Sequence, residues 1–199
     1  KEILCIDRAG YTQAYVEAAL SGGIRILQYR NKHADRALKR QQLEGLKGVC
    51  ARHQALLIVN DDWRLAAELG IDAVHLGEDD GDIEEARQAL GPGSLIGVSC
   101  YASVERARAL APVADYLAFG ALFASGTKPL ARPAPLSVFR EVQALSLARP
   151  LVGIGGIDAD NIGSVLAAGA DAAAVIGSLF RQGDVRAAAQ RLVAAAARP

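Results

Sequence analysis

The chain has 199 residues, of which 51% are hydrophobic and 22% are charged, a composition that excludes intrinsic disorder and supplies a sizeable core. Its 22 basic residues balance its 22 acidic residues, so the zero net charge excludes a general attraction to nucleic acid or to an anionic membrane. No apolar run approaches the roughly 20 residues of a membrane span, and no linker rich in Pro, Gly or Ser divides the chain. We therefore expect one domain over residues 1–199, which recognises its partners locally.

The beginning of the chain lacks the charged-then-apolar order of a secretion signal. The three cysteines, Cys5, Cys50 and Cys100, are odd in number and widely spaced, which disfavours both a disulfide framework and a metal cluster. Free, buried thiols and a cytoplasmic location are therefore expected.

Eight short apolar runs, bounded by Gly or Asp, are predicted as strands. Most are continuously apolar rather than alternating, which is typical of a parallel sheet covered on both faces. Amphipathic segments separate them, and one of these, 63–69, is expected to begin at a cap formed by Asp61 or Asp62 and to end at Gly70. In chain order the predicted strands are 3–6, 24–29, 56–59, 73–76, 95–98, 116–119, 151–154 and 172–176.

Eight strands alternating with helices give about 25 residues per unit, close to the size of the smallest (β/α)8 barrels. Open doubly wound sheets usually contain fewer strands, so the count of eight favours an α/β fold of the (β/α)8 TIM-barrel type. Active sites of such barrels lie at the carboxyl ends of the strands. The sequence places a polar or glycine-rich cluster at nearly all of these ends.

Charged residues at these ends predict a site for an anion. Arg30 and Lys32 stand two apart at a strand end, and Lys128 follows the sixth strand, so three cations at one mouth indicate a phosphate or diphosphate ligand. Asp61 and Asp80 follow adjacent strands and could share Mg²⁺, which is usually held by one or two carboxylates together with phosphate oxygens. The alternative is a structural ion pair between Arg30 and Asp61, with Asp61 only capping its helix.

Glycines after the last two strands suggest a second phosphate site. Gly155-Gly156 and Gly177-Ser178 would let backbone N–H groups approach a phosphate, which barrels of this class often bind after strands seven and eight. Ser125-Gly126-Thr127 could add further donors. The alternative is that these glycines only shape turns.

Other polar and aromatic residues have simpler interpretations. His75 is expected to be a buried, hydrogen-bonded core residue, and Ser99 has no nearby His–Asp pair that would support a nucleophilic triad. Trp63 is expected in the core. The basic residues of the second helix, Lys39 among them, are expected on a solvated face.

Seven of these clusters, taken in order, resemble the pattern of the thiamine-phosphate synthase family. Each cluster is modest alone, but seven in register over residues 28–177 make a specific match. In chain order they are Gln28-Tyr29-Arg30-Asn31-Lys32, Asn60-Asp61, His75 to Asp80, Gly97-Val98-Ser99, Ser125-Gly126-Thr127-Lys128-Pro129, Ile154 to Ile157, and Ile176-Gly177.

The resemblance implies a transferase in which hydroxymethylpyrimidine diphosphate loses pyrophosphate and the nitrogen of a thiazole phosphate takes its place, through a dissociative transition state. Preplaced cations and Mg²⁺ suit this reaction because negative charge develops on the departing pyrophosphate. By matching position, the resemblance makes Asp61 and Asp80 the Mg²⁺ ligands. It makes Arg30, Lys32, Lys128 and Ser99 the catalytic residues.

The resemblance also assigns substrate contacts. The pyrimidine diphosphate would be held by Gln28, Arg30, Lys32, Asn60 and Lys128, with Ser99 at the pyrimidine or its leaving group. Tyr29 and Asn31 complete the substrate-binding set at this strand end. The thiazole phosphate would contact, largely through backbone donors, Ser125, Gly126, Thr127, Gly156, Ile176 and Gly177.

Three positions depart from the family pattern. Glu78 stands where the family usually has Gln, which adds a negative charge beside the proposed metal. Ser125 replaces a usual Thr and keeps the hydroxyl group. Gly177 occupies the usual serine position, with Ser178 one residue later, so backbone rather than side-chain contact with the phosphate is expected.

Two other functions stay open. A thiazole tautomerase-like isomerase would share the barrel and the phosphate site, but the resemblance associates its catalysis with a later histidine, and none follows His75. A non-catalytic sensor of phosphate ligands would not need the carboxylates, and both are present. Homo-oligomerisation is left open, and the segment 121–133 is a candidate mobile lid.

Overall fold

The computed structural model describes residues 2–8, 13–124 and 133–197 of the chain, the first of these ranges by its backbone. Eight parallel strands form a closed barrel in which each strand pairs with its neighbours in sequence. Closure is completed by β8 against β1, in a register that runs from Ala172 beside Glu2 to Val175 beside Cys5. The strands are β1 (Glu2–Arg8), β2 (Ile26–Arg30), β3 (Leu56–Asn60), β4 (Ala73–Leu76), β5 (Leu95–Tyr101), β6 (Tyr116–Phe119), β7 (Leu151–Ile154) and β8 (Ala172–Val175).

Helices follow the strands and surround the barrel, which confirms the predicted (β/α)8 fold. Among the described residues, no helix is both long and apolar enough to cross a membrane. The helices of the described ranges are α1 (Gln13–Ser21), α2 (Arg36–Arg52), α3 (Trp63–Glu68), α4 (Ile83–Leu90), α5 (Val104–Leu110), α6 (Ser137–Gln143), α7 (Ile162–Ala167), α8 (Gly177–Phe180) and α9 (Val185–Ala196).

The strands are apolar throughout because both of their faces are buried. Outward residues such as Leu27, Val74 and Val98 pack in the layer between the barrel and the helices. Inward residues such as Ile58 and Val152 form a smaller cluster inside the barrel. This double burial explains the continuous apolar runs of the sequence.

The fifth strand continues to Tyr101, whereas its predicted extent ends at residue 98. Its backbone pairs with β6 as far as Tyr101 beside Phe119, through a bulge between Ser99 and Tyr101. The polar side chains of this extension face the barrel mouth, so hydrophobic patterning does not mark it as strand.

Side chains along a strand alternate between its two faces, and this alternation selects which polar residues enter the barrel. Since Leu27, Val59, Val74 and Val98 are outward, the residues that flank them are inward. The inward polar residues near the carboxyl ends of β2 to β5 are Gln28, Arg30, Asn60, His75 and Ser99.

Candidate active site

A lysine and two carboxylates meet at the ends of β3 and β4. Lys32 Nζ lies 3.2 Å from Asp61 Oδ2, and the Asn60 side-chain amide donates a short hydrogen bond to the other oxygen of Asp61. Lys32 is therefore an ion-pair partner of Asp61. Lys32 is half exposed, so its charge remains accessible from the mouth.

The backbone of Asp61 explains why its carboxyl faces the mouth instead of capping α3. Its φ is 69°, in the left-handed region that Asp tolerates better than most residues, and its N–H donates to the carbonyl of His75 at 2.9 Å. The helix is capped by Asp62, whose carboxylate accepts from the N–H of Leu65 at 3.0 Å. Of the two candidates for the cap, Asp62 is therefore correct and the side chain of Asp61 is left for other contacts.

Asp80 reaches the same place from the loop after β4. Its Oδ2 accepts a hydrogen bond of 2.6 Å from the N–H of Gly77. Burial and a hydrogen bond with the Asp61 carboxyl raise the pKa of Asp80, while the Gly77 N–H and the Lys32 charge act in the opposite direction. Two carboxyl groups in contact disfavour double ionisation unless a cation lies between them.

This donor set fits Mg²⁺. The ion is commonly held by one or two carboxylates, with phosphate oxygens and water completing its coordination. In residues 13–124 and 133–197, no group of three or more His, Cys, Asp or Glu side chains forms a complete protein cage for a metal. A pair of carboxylates leaves coordination positions that water and the oxygens of a ligand would fill.

A chain of hydrogen-bonded side chains lies inside the barrel below these charges. His75 Nδ1 is 2.9 Å from the hydroxyl oxygen of Tyr116, and His75 Nε2 is 2.9 Å from Ser99 Oγ. The Gln28 side chain acts on the same Tyr116 hydroxyl and lowers its pKa, against the larger, opposite effect of burial. Burial lowers the pKa of His75 to about 4, so the ring is neutral near pH 7. The expectation of a buried, hydrogen-bonded histidine is confirmed, but its contact with Ser99 also connects it to the proposed site.

Tyr116 was missed by the sequence reasoning. Its ring crosses the barrel interior because Gly97, its neighbour in the register of β5 and β6, leaves space for it. A Cβ atom on Gly97 would lie 1.9 Å from Tyr116 Cζ. A glycine at an inward position beside an inward tyrosine is the pattern that could have revealed this contact.

Two members of the first motif, Tyr29 and Asn31, contact α2. The hydroxyl of Tyr29 donates to Gln42 Oε1 at 2.7 Å, and the side-chain amide of Asn31 donates to the same oxygen at 3.2 Å. The side-chain oxygen of Asn31, Oδ1, accepts from the N–H of Ala34 at 3.2 Å. These bonds fix the strand end from which Arg30 and Lys32 project.

Lys39 of α2 was expected on a solvated face but lines a depression at this edge of the barrel. Its neighbours on α2, Arg36 and Arg40, instead bind Glu68 of α3. The helical periodicity of polar residues in α2 shows only that these residues lie outside the core. It does not distinguish the rim of the barrel from its outer surface. The depression is lined by Tyr29, Lys32, Lys39, Asn60 and Asp61, among others.

Arg106 was also missed by the sequence reasoning. Its Nε donates to the carbonyl oxygen of Ser99 at 2.8 Å, and its Nη1 lies 4.0 Å from Glu78 Oε1. Glu78, the departure from the family pattern, is largely exposed and faces this guanidinium. The additional negative charge is thus partly balanced by a cation on α5.

The loops after β7 and β8 are joined by a serine. Ser178 Oγ donates to the carbonyl of Ile157 at 2.7 Å. The φ angles of Gly155 and Gly156 are 103° and 64°, and a Cβ on Gly155 would lie 2.7 Å from Ala121 Cα, so both positions require glycine. Because its hydroxyl donates to the carbonyl of Ile157, Ser178 contributes to the structure of these loops.

Part of the predicted site lies outside the described residues. Ser125, Gly126, Thr127 and Lys128 belong to this part, as does most of the proposed lid at 121–133. The remaining predicted residues are brought to one end of the barrel by the ends of β2 to β5, β7 and β8.

Comparison with known proteins identifies relatives over nearly the whole chain. Residues 3–179 match the family model described as thiamine monophosphate synthase. The chain is 53% identical over 180 residues to the thiamine-phosphate synthase of Chromobacterium violaceum, covering 90% of this chain and 86% of that one. It is 47% identical over 183 residues to the thiamine-phosphate synthase of Thioalkalivibrio sulfidiphilus, covering 92% and 86%.

Solved structures agree with this assignment. The thiamine phosphate pyrophosphorylase of Pyrococcus furiosus superimposes with a TM-score of 0.88 at 32% identity, over 98% of this chain and 95% of that one. A thiamine phosphate pyrophosphorylase from Bacteroides thetaiotaomicron gives a TM-score of 0.71 at 18% identity over 98% and 97% of the two chains, which supports the fold alone.

Proposed function

The chain belongs to the thiamine monophosphate synthase family and is a transferase, and from this premise we propose how it makes thiamine phosphate. Hydroxymethylpyrimidine diphosphate would be the donor and a thiazole phosphate the acceptor. The bond between the pyrimidine methylene carbon and the diphosphate oxygen breaks, and the oxygen keeps the electron pair. The thiazole nitrogen then uses its lone pair to form the new C–N bond, so no proton has to be removed.

The observation that carries this proposal is the cluster of Lys32, Asp61 and Asp80 at the mouth. A reaction of this kind builds negative charge on the departing pyrophosphate, and fixed positive charge lowers the free energy of that transition state. Lys32 supplies one such charge beside the carboxylate pair. Neither a strong base nor a nucleophile is needed, which agrees with the neutral, doubly hydrogen-bonded state of His75.

We propose Mg²⁺ as the cofactor, with Asp61 and Asp80 as its ligands. The contact between the two carboxyl groups supports this assignment, because a divalent cation allows both to be ionised at once. When bound, the ion would neutralise the charge that develops on the diphosphate oxygens.

The remaining polar residues at the mouth would position the donor. These residues point inward from three strands of one barrel, so they can contact one ligand from several sides. They are Gln28 and Arg30 of β2, Asn60 of β3 and Ser99 of β5. Lys128 is assigned to the diphosphate by resemblance. The Tyr29 hydroxyl and the Asn31 side-chain amide donate to Gln42, so any contact of these two residues with the substrate would be made by their other atoms.

The acceptor would bind at the loops after β7 and β8. Gly156, Ile176 and Gly177 offer backbone atoms there, and the N–H groups at the first turn of a helix have no intrahelical acceptor. Ser125, Gly126 and Thr127 are assigned to the thiazole phosphate by resemblance. This arrangement separates the two phosphorylated substrates across the mouth.

We also propose that residues 1–199 form a single domain, because all eight strands share one closed barrel. Buried free thiols at Cys50 and Cys100 support a reducing, cytoplasmic location.

The test is a mass-spectrometric assay of the protein with both substrates and Mg²⁺. We expect thiamine phosphate and pyrophosphate in equal amounts, only when Mg²⁺ is present. The Asp61→Asn/Asp80→Asn double variant should lose at least about 100-fold in rate. Asp62→Asn is the matched control, since Asn also caps helices and Asp62 lies beside Asp61 without joining the carboxylate pair.

Two results would contradict the proposal. Binding of thiazole phosphate without product would favour the isomerase or sensor functions. Full activity of the double variant would reject Asp61 and Asp80 as metal ligands. The proposed synthase activity would still stand.

A further inference from the structure

The interior hydrogen-bond chain begins on β6, passes through β4 and ends on β5 at the mouth. It runs from the Tyr116 hydroxyl, through both ring nitrogens of His75, to Ser99 Oγ. The Gln28 side chain of β2 acts on the same Tyr116 hydroxyl. Gln28, His75 and Tyr116 are each at least 93% buried. Ser99, at the end of this hydrogen-bond chain, is half-buried and is more exposed than Gln28, His75 or Tyr116.

The hydrogen bonds of this interior chain can all be directed in one of two ways, which we call its two polarities. An imidazole whose two nitrogens both face hydroxyl groups carries one hydrogen, on either Nδ1 or Nε2. With the hydrogen on Nε2, His75 donates to Ser99 and accepts from Tyr116, so the Ser99 hydroxyl keeps its own hydrogen. With the hydrogen on Nδ1, Ser99 donates to His75 and has only lone pairs left.

An anionic ligand can be bound in only one of these two polarities, an argument that rests on the proposed function. Diphosphate oxygens accept hydrogen bonds and do not donate them. Only the polarity in which Ser99 keeps its hydrogen lets this residue bind such an oxygen. In that polarity the Tyr116 hydroxyl donates to His75 Nδ1.

We propose that Tyr116 is a positioning residue that, through His75, holds the Ser99 hydroxyl as a hydrogen-bond donor toward the anionic substrate. Tyr116 acts at a distance because it pairs in register with Gly97, two residues before Ser99, and therefore lies one layer deeper in the barrel. Its ring is fixed there by the space that Gly97 leaves. The buried hydroxyl hydrogen of Tyr116 needs an acceptor, and His75 Nδ1 lies 2.9 Å from the Tyr116 oxygen, so the hydrogen on Ser99 is set before any ligand arrives.

The first test reads the His75 tautomer by ¹⁵N NMR of the ligand-free protein labelled at histidine. His33→Gln and His53→Gln variants assign the His75 resonances, since the chain has three histidines. We expect the hydrogen on Nε2 in the wild type, and a loss of this preference in Tyr116→Phe. A wild-type ring with its hydrogen on Nδ1 would overturn the proposal, and that measurement needs no variant of Tyr116.

The second test is a double-mutant cycle on turnover. Tyr116→Phe should lower kcat by about three- to tenfold, the effect of one hydrogen bond, with the ring still filling its space. In the Ser99→Ala background the same change should have no further effect, because the group through which it acts is gone. Additive losses would mean that Tyr116 acts by another route and would overturn the proposal.

Controls distinguish failure of the hydrogen-bond chain from failure of the proposed function and from the nonspecific effect of deleting a tyrosine hydroxyl. Tyr15→Phe removes a tyrosine hydroxyl from α1 on the outside of the barrel and should leave kcat unchanged. Absence of thiamine phosphate with the wild-type protein would reject the proposed function, whereas the His75 tautomer, measured without substrates, tests the hydrogen-bond chain separately.

Discussion

The main-chain N–H of Asp61 donates a hydrogen bond of 2.9 Å to the carbonyl of His75. This bond links the end of β3 to β4. The residue whose carboxylate is proposed to bind Mg²⁺ is therefore hydrogen-bonded through its backbone to the residue that carries the imidazole of the interior hydrogen-bond chain. The positive φ of Asp61 is accommodated by this bond. A change at either residue is therefore expected to affect both parts of the site.

Asp61→Asn and Asp62→Ala should have opposite consequences for activity and stability. Asn tolerates the left-handed φ of 69° at position 61, so Asp61→Asn should fold with near wild-type stability and lose turnover. Asp62→Ala removes the α3 cap and should lower the free energy of unfolding by about 1 kcal/mol, with turnover retained. Urea unfolding and the product assay on both variants test this, and equal losses of activity would contradict it.

Lys32→Gln should lower turnover by about 100-fold, because the charge that faces Asp61 and the departing pyrophosphate is lost. Lys47→Gln is the matched control, since Lys47 Nζ donates to the carbonyl of Leu69 on the outside of the barrel. Steady-state kinetics of both variants give the result. If both variants kept full activity, Lys32 would have no part in the reaction.

Gly97→Ala should destabilise the protein by about 1–3 kcal/mol or more, because the new Cβ would lie 1.9 Å from Tyr116 Cζ. Gly163→Ala, in α7, meets no atom within 4 Å and should raise the free energy of unfolding by about 0.5–1 kcal/mol. Urea unfolding of the two variants compares them directly. A stable Gly97→Ala protein would show that the Tyr116 ring has another place to go.

The stability of the protein should fall as the pH is lowered from 6.5 to 4. Burial lowers the pKa of His75 from 6.5 to about 4, so in this range the unfolded chain binds a proton that the folded chain does not. The loss of unfolding free energy from this group is about 3 kcal/mol over the window. Above pH 6.5 its contribution is constant.

Unfolding curves of wild type and His75→Gln at several pH values measure that contribution. The difference between the two should shrink as the pH falls, because the variant has no imidazole to titrate at this position. His33→Gln, a change at an exposed ring, should follow the wild-type curve. Parallel curves for wild type and His75→Gln would show that His75 is not protonated on unfolding.

Ser178→Ala should raise KM for the thiazole phosphate by about three- to tenfold, because the bond that joins the loops after β7 and β8 is lost. KM for the pyrimidine diphosphate should stay the same. Ser164→Ala is the control, since Ser164 Oγ donates to the carbonyl of Asn161, the residue before α7, and lies at the surface. Equal effects on the two substrates would place the role of Ser178 outside the acceptor loops.

The sequence predicted the barrel, its eight strands and the positions of Asp61 and Asp80, because these follow from local patterns at strand ends. It did not predict Tyr116, whose role depends on a gap at Gly97 in the neighbouring strand. It also left the cap of α3 open between Asp61 and Asp62, since the choice is made by a backbone angle that both residues tolerate. Contacts between distant segments and single backbone angles are the information that periodicity does not hold.

Closure of the barrel by β8 on β1 has a consequence for synthesis on the ribosome. Glu2 pairs with Ala172, so β1 can pair with β8 only after a further 172 − 2 = 170 residues have been synthesised. At about 5–20 residues per second this interval lasts roughly 10–30 s. Throughout it one edge of β1 is open to any other strand, including that of a neighbouring nascent chain. Translation speed, as well as the final contacts, therefore determines how much of this protein reaches the closed barrel.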